Sequence, residues 1–87
     1  MPRVVFTHAV SDVDHWASKH SERVQAFSGW GSNVVDYVNP DGSNNVGVTV
    51  DVHDMGAMQV SMQSAEMNAG KEAHGVLEPV MVLIERD

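Results

Sequence analysis

An α+β sandwich, one four-stranded sheet with its helices packed on a single face, is the fold this sequence predicts. Val46, Val48, Val50 and Val52 alternate with Gly47, Thr49, Asp51 and His53, the period of a strand with one buried face. Val13, Trp16, Ala17, His20, Val24 and Phe27 recur at spacings of 3, 1, 3, 4 and 3, which draws one stripe along a helix. Strand-like and helix-like stretches succeed one another in the order strand, helix, strand, strand, helix, strand.

Taken in turn, Arg3 to Val10 (RVVFTHAV) has the β-branched and aromatic content of a strand. Ser11 with Asp14 three residues on signals a capped helix start, and the helix is expected from Asp12 to Phe27, with Asp14, Lys19, Glu22 and Arg23 mostly on its other faces. Gly29-Trp30-Gly31 should end it through a left-handed glycine. Ser32 to Asn39 reads as the second strand. The turn formers Asn39-Pro40-Asp41-Gly42-Ser43-Asn44 join it in a hairpin to the third strand, Asn45 to His53. Asp54 caps a second helical region through Met55, Met58 and Met62. Ser64-Ala65-Glu66 restarts that region after a kink, and Gly75 stops it past His74. Pro79 to Glu85 (PVMVLIE) closes the chain as a strand that is apolar on both sides.

This order is the split βαβ of a ferredoxin-like sandwich. Right-handed crossovers then give an antiparallel sheet ordered 4-1-3-2. Val4, Phe6, His8, Val10 and the four valines should face the helices. The opposite face should carry Arg3, Val5, Thr7, Ala9, Gly47, Thr49, Asp51 and His53. From the last strand it gains either Met81 and Leu83 or else Val80, Val82 and Ile84. Such a face is too apolar to remain in water. A few hundred Å² of it, at about 25 cal/mol per Å², is worth on the order of 10 kcal/mol, more than the margin of a small domain. A homodimer stacked through these faces is therefore expected, with Arg3 paired to Asp51 inside the interface.

Composition narrows the function. The 87 residues contain no cysteine, and 12 acidic residues stand against 5 basic ones, a net charge of −7. Residues 1–87 leave room for a single domain, and its small core calls for support from a partner or metal. Thiolate chemistry is excluded, and the acidic balance argues against nucleic acid. No apolar run reaches the roughly 18 residues of a membrane span, and Met-Pro-Arg does not begin a secretory signal. A cytoplasmic, membrane-free protein is the expectation.

His8-Ala9-Val10-Ser11-Asp12-Val13-Asp14-His15-Trp16, a strand ending in His-x-Val followed by x-Asp-x-x-x-Trp, resembles the dimeric α+β barrel superfamily. That superfamily includes antibiotic-biosynthesis monooxygenase-like, muconolactone-isomerase-like and haem-degrading proteins. The resemblance covers the whole element order and implies two sheets forming a barrel across a twofold axis, with a pocket between sheet and helices. It does not by itself assign an activity. The Asn, Trp and His set of the haem-degrading branch has no convincing match.

His8 and His20 are the candidate catalytic residues, since each lies on an otherwise apolar face and the two faces pack together. Rises of about 3.3 Å and 1.5 Å per residue put His8 about 7 Å and His20 about 12 Å below the strand–helix turn. The lean of helical side chains narrows that offset. Phe6, Trp16, Val48, Met58 and Met62 are the candidate substrate-binding residues. In the functional reading a partly desolvated histidine acts as acid or base; in the structural one both are core histidines bonded to backbone or water. The set Met55, Met58, Met62 and Met67 suits adaptable core filler or the wall of a pocket for a flat, apolar molecule. Trp30 reads as a cap contact, and His15 and His74 as solvated. Asp51 and His53 share a strand face, as a polar patch at the barrel rim or, duplicated across a dimer axis, as metal ligands; no metal site is expected. No phosphate loop and no Ser/His/Asp spacing occur. The expectation is a homodimer that binds a small, largely apolar organic molecule without a tightly bound cofactor. It would act as a cofactor-independent monooxygenase- or isomerase-like enzyme or, alternatively, as a non-catalytic binding or structural dimer.

Overall fold

The computed structural model describes residues 2–86. Its elements are β1 (Arg3–Val10), α1 (Val13–Ser18), α2 (His20–Phe27), β2 (Gly31–Val38), β3 (Asn45–Val52), α3 (Met55–Met62), α4 (Ala65–Ala73) and β4 (Val76–Ile84). The sheet is antiparallel with neighbours in the order β2-β3-β1-β4, as expected from the order of elements. None of the helices among the described residues is long and apolar enough to cross a membrane.

Local chemistry sets most boundaries. Asp12, rather than Ser11, caps α1 by accepting from the His15 amide at 3.1 Å. Asp54 does the same for α3 through Ala57 at 3.0 Å, and Ser64 for α4 through Met67 at 3.1 Å. Each cap satisfies one of the free amides that every helix start leaves. The kink expected at Ser64 is therefore a full break between two helices, and Gly75 at φ +76° ends the second.

Other expectations change as well. The first helix is two helices, because Lys19 leaves the helical region at φ −96°, ψ 13°. The break re-aims the following stripe: α2 buries Arg23 and Phe27 against the sheet, while Val24 is 40% exposed. Gly29 and Gly31 do not take the left-handed conformation. Gly31 is needed for closeness instead, since a Cβ there would come within 2.7 Å of Val50 Cγ2 and 3.0 Å of the Asp51 carbonyl. Finally, β4 begins at Val76, three residues ahead of Pro79. Between the pairs Thr7↔Met81 and Ala9↔Leu77, His8 alone faces Glu78, Pro79 and Val80. A proline has no amide to donate, so the ladder bulges here.

Val4, Phe6 and Val10 of β1, the four valines of β3, Trp16, Phe27, Trp30 and Met58 form the buried core. Trp30 belongs to this core, its ring 4.8 Å from that of Phe27, and is not a peripheral cap contact. On the far face, β4 contributes Leu77, Met81 and Leu83, which pair across with Ala9, Thr7 and Val5. Val35 and Tyr37 extend that face through their pairing with Thr49 and Gly47. It is strongly apolar and open: Met81 is 59% and Leu83 52% exposed. Arg3 and Asp51 lie opposite one another in the β1–β3 ladder and form an ion pair at 3.0 Å.

Candidate functional site

Between the sheet and the helices lies a cavity of about 280 Å³. Its floor is Phe6 and His8 of β1, Val48 of β3, and Val76 and Val80 of β4. Trp16 enters from α1, Arg23, Ala26 and Phe27 from α2. The α3–α4 break brings Met62, Ser64 and Met67 to the opposite side, and α4 adds Gly70, Lys71 and, at its end, His74. Apolar side chains thus form most of the wall and a few polar groups converge on it, the usual composition of a small-molecule site.

Five of the seven residues singled out from sequence line this space: Phe6, His8, Trp16, Val48 and Met62. Met58 does not, being enclosed in the core at 4% exposure. His20 does not either. Its Nδ1 lies 3.1 Å from Asp36 Oδ2, off the line of a hydrogen bond, with the side chain 44% exposed. The break at Lys19 explains the difference, since the depth count for His20 assumed one straight helix.

His8 is half-buried, its ring set edge-on to Trp16 with centroids 6.0 Å apart. Its Nδ1 lies 3.2 Å from the Ala9 carbonyl. A carbonyl only accepts, so in this contact Nδ1 carries the proton and Nε2 keeps its lone pair. Burial, reinforced by the Arg23 and Lys71 charges against the opposing pull of the Ala9 carbonyl and Glu78, holds the imidazole below its ordinary pKa. A neutral histidine with a free Nε2 on an apolar cavity can accept a proton from a bound molecule.

Arg23 and His74 went unrecognised in the sequence. Arg23 is expected on a face away from the apolar stripe, yet it is 6% exposed. Its guanidinium lies 4.1 Å from the centre of the Trp16 ring, donates to the Trp16 carbonyl at 2.8 Å and to Asp36 Oδ1 and Oδ2 at 3.3 and 2.5 Å. The seven-residue spacing from Trp16 to Arg23 was no guide, because the break at Lys19 lies between them. His74, expected in solvent, is partly buried on the cavity wall, 3.3 Å from Arg23 Nη1 through its Nδ1. Burial first, and then the Arg23 charge, lower its pKa. Lys71 is tied to Glu78 at 2.9 Å, and its hydrogen bond lowers the pKa of the Glu78 carboxyl. Asp51 and His53 are engaged elsewhere, Asp51 with Arg3 and Asn33 and His53 Nε2 with Ser32 Oγ at 2.6 Å. No cluster of three potential metal ligands occurs among the described residues.

No family model matches the sequence, and none of the curated proteins does. Similarity appears in solved structures. The antibiotic biosynthesis monooxygenase-like protein of Bordetella bronchiseptica superposes with a TM-score of 0.68 at 16% identity, over 99% of this chain and 95% of the other. Its counterpart from Deinococcus radiodurans gives 0.66 at 12%, over 100% and 92%. A conserved protein of Methanosarcina mazei gives 0.68 at 12%, over 98% and 90%. Identities this low speak to backbone architecture and not to chemistry. By fold, this chain is a ferredoxin-like α+β protein of the kind seen in the antibiotic biosynthesis monooxygenase-like structures.

Proposed function

We propose that the protein is a homodimeric α+β barrel whose protomers each bind a small, largely apolar organic molecule in the sheet–helix cavity, with His8 as the proton-handling group. The observation that carries the reading is the coincidence of cavity and base. His8 stands against Trp16 on the cavity wall with Nε2 free, in surroundings that keep it neutral. Phe6, Trp16, Val48 and Met62 supply apolar contact for a flat ligand. Removing a proton from a carbon or oxygen acid opens either an isomerisation, in which His8 returns the proton at another atom, or a reaction of the resulting anion with dioxygen. These are the two reaction types that the barrel resemblance implies. The dimer is supported by the outer face, where Val5, Ala9, Leu77, Met81 and Leu83 leave more apolar surface in water than a small domain sustains.

A second reading has an observation of its own. His8 already bonds the backbone at a strand bulge, as a purely structural histidine would. His8→Gln separates the two. With His8 as the base, turnover of a small carbon acid found by screening falls at least about a hundredfold, while the fold persists. A lower melting temperature with binding and turnover unchanged leaves the non-catalytic dimer standing.

A further inference from the structure

Two histidines line the cavity, and proton transfer at His8 uses one of them. We propose that His74 is a hydrogen-bond donor to the cavity's ligand, held in that role by Arg23, and that the ligand presents a neutral accepting oxygen, such as a carbonyl, beside its apolar body. This rests on the cavity being a ligand site, as proposed above.

Arginine has five N–H groups and no acceptor. Where Arg23 Nη1 approaches His74 Nδ1 at 3.3 Å, the lone pair in the contact has to come from the histidine. A neutral imidazole with its lone pair on Nδ1 carries its proton on Nε2. Burial and the fixed Arg23 charge both disfavour a second proton on this ring. His8 is set the other way, by a carbonyl that can only accept. The cavity therefore offers opposite tautomers, a lone pair at His8 Nε2 and a proton at His74 Nε2.

Arg23 is suited to this duty as a positioning residue because it is buried and held from several sides. Trp16 and Asp36 hold its guanidinium by stacking and three hydrogen bonds. Those same contacts commit its charge, and Lys71 is committed to Glu78. The cations nearest the cavity are already compensated, so a ligand carboxylate gains little from them. A carbonyl oxygen needs only the one donor that His74 provides.

The test uses the full chain labelled with nitrogen-15, titrated with acetophenone and with ethylbenzene, which matches it in shape but has no oxygen. Long-range proton–nitrogen spectra at neutral pH should show His74 protonated on Nε2 alone; protonation on Nδ1 or on both nitrogens overturns the proposal. Acetophenone should bind about three- to tenfold more tightly than ethylbenzene, the worth of one neutral hydrogen bond. His74→Phe should abolish that preference without weakening ethylbenzene, and His74→Gln, whose amide can place an N–H near the lost Nε2, should restore part of it. Equal binding of the two probes to the unaltered chain overturns the donor role while the ligand-site reading stands. Failure of both probes to bind overturns the two together. Arg23→Gln paired with Asp36→Asn should let the His74 tautomers mix. Should that pair not fold, the spectra of the unaltered chain still decide.

Discussion

His8 and His74 are half-buried histidines held neutral, and that has a consequence for stability. Both have folded pKa values below the unfolded value of about 6.5. The unfolded chain thus binds more protons than the folded one as the medium turns acidic. Linkage then makes stability fall as pH drops through about 6.5 and level off below the folded values. Urea unfolding followed from pH 8 to pH 5 should show this loss, and His8→Gln should make the slope shallower. An unchanged slope would mean that His8 does not titrate differently in the two states. Arg23 is the other residue whose surroundings decide its behaviour. Buried beside Asp36 and stacked on Trp16, it is part of the core in spite of its charge, and removal of Asp36 would leave a buried guanidinium without compensation.

The break between α3 and α4 shapes the cavity as an element. Met62 lies before it and Met67 after it, and a single straight helix would not bring both to the same space. The break depends on the Ser64 hydroxyl, which accepts from the Met67 amide and donates to the Ser61 carbonyl at 2.7 Å. Ser64→Ala should therefore cost about 1 kcal/mol, which in a domain of this size lowers the melting temperature by roughly 4–8 °C. Calorimetry measures it directly. Loss confined to Ser64→Ala, with Ser61→Ala near neutral, would locate the effect in the cap.

At the scale of the whole molecule the open question of packing is the outer sheet face. Leu83 lies on this face beside Val5 and is half exposed, so Leu83→Asp places a charge where the proposed twin must close. Sedimentation equilibrium at micromolar concentration should give twice 9.5 kDa for the unaltered chain and a shift to the single chain for the variant. A lone protomer in both samples would sink the barrel.

The alternation of the β3 valines, the cap residues and the turn formers made the sheet, its order and its buried face legible in the sequence, because each depends on chemical identity at fixed local spacing. Phe6, His8, Trp16, Val48 and Met62 could be assigned to one space for the same reason: strand and helix periods put them on facing surfaces. Position around the cavity was decided elsewhere. The turn at Lys19 carries no glycine or proline to announce it, yet it leaves His20 beside Asp36 and off the cavity wall and sets Arg23 against Trp16. His74 sits where a helix ends against a strand that starts three residues earlier than its apolar run suggested. Local spacing determines which side of an element a residue occupies. Only the packing of whole elements determines which side chains from distant parts of the chain meet, because that depends on helix breaks and strand bulges that the sheet as a whole selects.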